Sequence, residues 1–286
     1  MNTDFLIEKK LTGEAPGLHR LFTNSVFSMQ GMLTKYQSLF PAYTDHSSLH
    51  SMQVIQFCNQ LIGKNIEKMN PTECYVLLMG CYLHDVGMGI SQEDFNQFAA
   101  RVLTSDLEKD AQQDKIRKVH HEFSGCLIEK YADLFDIPNA EMVHAIVQVA
   151  RGHRKTDLFD PAEYPETFAI PGYEPVHLAY LAALIRLADE LDVAADRVFS
   201  FLVDEEALLH DARSRREHQK HQAIRHTLIR ENAFVLQIET DDETLYQEIM
   251  DEMGKLSATL DYCYRVIAER TPFSLGIDHV TFERIR

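Results

Sequence analysis

The amino-acid sequence predicts a mainly α-helical protein that ends in a small α/β lobe. Apolar residues recur at intervals of three and four from Gly17 to about Asp192, two segments of that stretch are apolar on nearly every side, and the pattern changes to period-two alternation after Phe201. The expected division is a helical domain over residues 1–200 and a lobe over residues 201–286.

Each element has its own signal. Leu18, Leu21, Phe22, Met29, Met32, Leu33 and Tyr36 mark an amphipathic helix, and a second runs from about His46 to Ile62. The segment NPTECYVLLMGCYLHD offers Asn70 as N-cap, Pro71 at the first helical position and Glu73 in the first turn, and its apolar body predicts a central buried helix. Ser91, with Asp94 three residues on, caps the next helix. DKIRKVHHEFSGCLIEKYADLF and NAEMVHAIVQVARGH each carry one apolar stripe. A Pro-rich loop, FDPAEYPETFAIPGYEP, then leads to VHLAYLAALIRLADELDVA, again apolar enough to be buried. DARSRREHQKHQ reads as a charged connector or helix, and AIRHTLIR and AFVLQIET as a hairpin turning at Glu231 and Asn232. Leu245, Ile249, Met253, Leu256 and Leu260 define a further helix and DHVTFERI a third strand, which completes a β-β-α-β lobe.

Composition narrows the functional classes. A chain of 286 residues with 45% apolar content can bury a full core. Its 28 Lys and Arg against 44 Asp and Glu give a net charge of -16, which repels nucleic-acid phosphates, so duplex DNA or RNA is not the expected partner. MNTDFLIEKKLTGEAPG lacks the basic and then apolar plan of an export signal, and no apolar run is long enough to span a bilayer; the expectation is a cytoplasmic protein with no membrane partner. Cys58, Cys74, Cys81, Cys126 and Cys263 are odd in number, lack zinc-ribbon spacing and sit in helical apolar patterns, as buried reduced thiols do. Gly-rich phosphate loops, G-x-S-x-G elbows and C-x-x-C pairs are absent.

The chemistry concentrates at YLHDVGMG, where His84 and Asp85 stand side by side at the end of the buried helix, a costly placement unless both are engaged. His50 in HSSLHSMQV, His120 in IRKVHHEFS, His153 in VARGH and Asp189 in LIRLADELD each fall on or at the end of a predicted buried helix. Adjacent helical residues point about 100° apart, so His84 can offer one nitrogen while both oxygens of Asp85 bridge two cations. Imidazole and carboxylate together suit Mn, Fe, Co, Ni or Zn better than Ca or Mg. His121 is a rival to His120, and Asp192 to Asp189.

This order, with the flanks HSMQV, LHDVG, RKVHHEFS and LIRLADELD, resembles the HD-domain superfamily of metal-dependent phosphohydrolases over roughly residues 40–200, and the C-terminal lobe carries no such resemblance. The resemblance implies an HD helical bundle with two divalent transition-metal ions, His50, His84 and Asp189 completing the first with Asp85, and His120 and His153 holding the second. It implies that a metal-bridged hydroxide, organised by Asp85 as catalytic residue, attacks the phosphorus of a small phosphorylated substrate of nucleotide type. His46, four residues before His50, is a candidate proton donor or phosphate contact, or else a helix cap. Arg154 and Lys155, beside Arg151 in ARGHRKT, are candidate substrate-binding cations, and Arg186 a candidate ion-pair partner of a ligand carboxylate. Met88 after HDVG and the missing GYP motif after His153 argue against cyclic-dinucleotide phosphodiesterases, and the flanks of the dyad differ from those of deoxynucleoside-triphosphate and guanosine-polyphosphate hydrolases. The same ligand list serves HD-fold di-iron oxygenases, and a nucleotide-sensing module is a third reading; a homo-oligomer is compatible with all three.

Overall fold

A capping box starts the helix around which the others gather: the Asn70 side chain accepts from the Glu73 amide at 2.9 Å and the Glu73 carboxylate accepts from the Asn70 amide at 3.0 Å. The computed structural model describes residues 5–41, 47–193, 208 and 212–285. Its helical part comprises α1 (Leu6–Glu14), α2 (Pro16–Leu33), α3 (Tyr36–Leu39), α4 (Ser48–Ile62), α5 (Pro71–Leu83), α6 (Gln92–Val102), α7 (Gln112–Lys130), α8 (Ala140–Arg151) and α9 (Leu178–Leu191). Residues 72–83 of α5 are all buried, and α5 packs against α1, α2, α4, α8 and α9. Glu73 also accepts from the His177 backbone amide at 3.2 Å and from its Nδ1 at 2.7 Å, which ties the start of α5 to the start of α9.

Two predicted boundaries move. The amphipathic run from Leu18 to Tyr36 is divided between α2 and α3, and the helix expected from about His46 begins at Ser48, with Ser47 Oγ accepting from the Leu49 amide at 3.1 Å. Helix α1 was not visible in the periodicity, because only Ile7 and Leu11 of its nine residues are buried. Ser91 caps α6 as its spacing predicts.

The C-terminal lobe contains α10 (Ala212–Ala223), β1 (Ile224–Arg230), β2 (Ala233–Ile238), α11 (Glu243–Arg270) and β3 (His279–Arg284). The charged segment read as a connector or a helix is therefore the helix α10. β1 and β2 pair antiparallel around Glu231, which adopts a left-handed φ of 53°, and β3 returns parallel to β2 after the α11 crossover, giving the order β1-β2-β3. The alternation expected of β2 gives way to nearly continuous burial, because β2 is the central strand. α11 packs along α9, and its buried residues Leu256, Leu260, Cys263 and Val266 belong to the same apolar core as α5 and α9. All five cysteines are buried thiols, and among the described residues no single helix is long and apolar enough to cross a membrane.

Phe234 is fully buried on the central strand. Phe234→Ala is expected to lower the free energy of unfolding by about 3–5 kcal/mol, read from chemical denaturation.

Candidate metal centre

Each candidate ligand sits where a helix starts, stops or breaks. His50 lies in the first turn of α4, and His84 is the C-cap of α5. Asp85 follows with the non-helical angles φ -107° and ψ 4°, so its carboxylate leaves the direction of the helix. α7 breaks at Val119 (φ -127°, ψ 24°) immediately before His120, His153 lies just beyond α8, and Asp189 occupies the last turn of α9. Gly87 explains the first glycine of the motif: a Cβ there would lie 2.2 Å from the His120 carbonyl oxygen and 2.7 Å from the Ser124 amide. The Gly87 amide donates to Ser124 Oγ at 2.9 Å, and that hydroxyl donates to the His84 carbonyl at 2.6 Å. The turn after His84 and the break in α7 are thus two sides of one close contact.

The rings are held by their Nδ1 atoms. His84 Nδ1 donates to the Cys81 carbonyl at 2.9 Å, His120 Nδ1 to the Arg117 carbonyl at 2.9 Å, and His153 Nδ1 to the Ala150 carbonyl at 2.6 Å. His50 Nδ1 meets Asp192 Oδ2 at 2.5 Å. Carbonyl and carboxylate oxygens only accept, so each Nδ1 carries the hydrogen, and a ring in that tautomer presents the lone pair of Nε2. Burial pushes His84 down from its usual range and His153 well below it, which keeps these rings neutral.

Those lone pairs converge. The Nε2 atoms of His50 and His84 are 3.2 Å apart, and those of His120 and His153 are 2.9 Å apart. Asp85 Oδ2 faces the first pair at 3.6 Å and 3.4 Å, while Oδ1 faces the second at 3.2 Å and 3.5 Å. Asp189 Oδ1 approaches the first pair at 3.3 Å and 4.0 Å. Acceptors facing acceptors across such distances repel unless a cation lies among them, and the donor set fits a transition metal. Ligand atoms of His50, His84 and Asp85 lie within 4.8 Å of one another, as do those of Asp85, His120 and His153, so two groups sharing Asp85 are able to hold metal ions.

The structure thus brings His50, His84, Asp85, His120, His153 and Asp189 together. Between the rivals, Asp189 faces the cluster and Asp192 holds His50 from behind. His121 stays outside: its ring centroid is 6.0 Å from that of His120, its Nδ1 is buried without a partner, and burial with its cationic neighbours pushes its pKa down to about 3. Arg154 lines the cavity above the cluster, whereas Lys155 is exposed and is not in that lining. Arg151 is tied to Glu122 by two hydrogen bonds, at 3.0 Å and 2.9 Å. Arg186, expected to pair with a ligand carboxylate, instead donates to the Gly152 and Thr156 carbonyls, both at 2.7 Å, and so fixes the loop after His153. His46 lies outside the described residues. Sequence reasoning missed the bracing roles of Asp192 and Ser124: Asp192 was visible three residues after Asp189, but nothing in HEFSG marked Ser124.

The cavity has a volume of about 700 Å³ and is lined by Asp85, His120 and Asp189 together with Arg117, Arg154 and residues of α10 and α11. The HD-CE family matches residues 40–268. The chain belongs to the HD-CE family. The HD-CE match runs through α10, the hairpin and nearly all of α11, so a family model covers the C-terminal lobe, for which the sequence offered no resemblance. Compared with the curated proteins, the sequence finds no match.

Asp192→Asn is expected to weaken metal binding by about 10- to 100-fold, measured by titration against a competing chelator, with the helical circular dichroism retained. Gly87→Ala, which must push the turn away from α7, is expected to cost about 1–3 kcal/mol in thermal unfolding and to lower the bound metal per chain.

Proposed function

We propose that this HD-CE protein is a metal-dependent phosphohydrolase that cleaves a phosphoester of a nucleotide or nucleotide-like substrate. The observation that carries the reading is the placement of Asp85, one oxygen toward each histidine pair, at the lining of a cavity large enough for such a ligand. A pair of divalent cations bound there supplies Lewis acidity toward a phosphate oxygen and an acidified water.

The chain's own residues do the rest. Asp85 fixes the spacing of the two halves of the site, and the Nδ1 bonds of the four histidines hold the rings in one orientation before substrate arrives. Arg154 makes no side-chain hydrogen bond or ion pair among the described residues and lines the same cavity, so its guanidinium is placed to neutralise a phosphate oxygen. Phosphoryl transfer needs little covalent help beyond such positioning and charge neutralisation.

The test is turnover by protein reconstituted with Mn, Fe(II) or Ni against nucleoside mono-, di- and triphosphates, cyclic nucleotides and p-nitrophenyl phosphate. Hydrolysis is expected in the wild type and background rates in Asp85→Ala with much of the fold retained. Arg154→Ala is expected to raise KM about tenfold with a smaller change in kcat. Silence across the panel with two metals bound, or a fully active Asp85→Ala protein, would overturn the reading; oxygen uptake would then separate oxygenase chemistry from a sensing role.

A further inference from the structure

The wall that the C-terminal lobe gives to the cavity carries two carboxylates bound to one buried ammonium, across from the side that carries Arg154 and the metal-ligand residues. Lys220 of α10 is 6% exposed, and its ammonium donates both to Glu217 Oε1, at 2.8 Å, and to Glu252 Oε1 of α11. All three residues line the cavity that also contains Asp85, His120 and Asp189. One ammonium between two carboxylates leaves this triad with a net negative charge, while Arg213 adds a cation at the exposed edge of the same wall. Among the described residues no hydrogen bond reaches the Oε2 atom of either glutamate, so each keeps acceptor capacity beyond its bond to Lys220. Ser214 and His218, both buried, add polar groups to the same wall.

We propose that this wall recognises the alcohol half of the ester: the substrate carries one phosphate group on a hydroxyl-bearing moiety of sugar or nucleoside type, and a second phosphate on that moiety is rejected. The inference rests on the reading of the cavity as a phosphoester site. Carboxylate oxygens accept hydrogen bonds from sugar hydroxyls, the device by which acidic residues recognise a ribose. A phosphate brought to the same place meets two carboxylates and a lysine already engaged by them, and repulsion of that kind excludes a competing ligand as effectively as a clash. The cavity is thereby polarised. Its metal-ligand side, with Arg154, receives the anion, and α10 and α11 receive the hydroxyls.

Calorimetry on the full-length, Mn-loaded protein tests this with two probes that resist hydrolysis: the phosphonate analogue of adenosine 5′-monophosphate, and the same compound with a second phosphonate at the 3′ position. The wild type is expected to bind the first at least about tenfold more tightly than the second. E217Q/E252Q is expected to bring the ratio of the two affinities close to one, with the single variants E217Q and E252Q between; these retain one carboxylate for Lys220 should the double variant fail to fold. Equal affinities in the wild type, no binding of either probe, or a ratio unchanged in all folded variants would overturn the proposal. The reaction reading fails separately, if the metal-loaded protein hydrolyses no phosphoester while the binding ratio behaves as expected.

Discussion

Four imidazole lone pairs and the two oxygens of one carboxylate face each other in a volume from which every ring hydrogen has been directed away, and most of the architecture follows from that constraint. Three of the rings use one device: His84, His120 and His153 each donate Nδ1–H to the carbonyl three residues earlier. Such carbonyls lack a partner only in the last turn of a helix. The device therefore requires a helix terminus beneath each ring, which the end of α5, the end of α8 and the break at Val119 in α7 provide. The ring satisfies the backbone and the backbone sets the tautomer.

How much of this was legible differs by residue. The capping box at Asn70, the hairpin at Glu231 and the His84–Asp85 dyad could be read from local signatures, whereas His50, His120, His153 and Asp189 were reached through the order and flanks of the motif that resembles the HD-domain superfamily. The break at Val119 had none, since the residues around it continue a helical pattern and the backbone that packs against it at Gly87 comes from a distant part of the sequence. Asp192 stood as a rival to Asp189 in sequence, and the direction of each side chain from the end of α9 separates the one facing the cluster from the one bracing His50. Arg186 was misread for a related reason: its bonds go to backbone oxygens of a loop whose path is set by tertiary packing.

The C-terminal lobe is the part for which local pattern gave fold but not purpose. Its strands and long helix follow from alternation and apolar spacing, yet the highly charged α10 turns Ser214, Glu217, His218 and Lys220 into the wall of the cavity. A charged helix with no apolar stripe normally signals a solvated face. Here burial of Ser214, His218 and Lys220 shows that the face is enclosed, a fact that depends on where α11 lies against α9 and so on long-range packing.

The loop after His153 has one further property. Arg186 grips its carbonyls from α9 and lies over the ring of Tyr262 at 5.1 Å, while the Tyr262 hydroxyl accepts from the Leu158 amide at 2.7 Å and donates to Asp157 at 2.9 Å. A residue of α11 thus helps to seat a histidine of the cluster that it never touches. Replacing the C-terminal lobe would take the Tyr262 ring from beneath Arg186 and its hydroxyl from the Leu158 amide, and so loosen the loop that follows His153 from a distance.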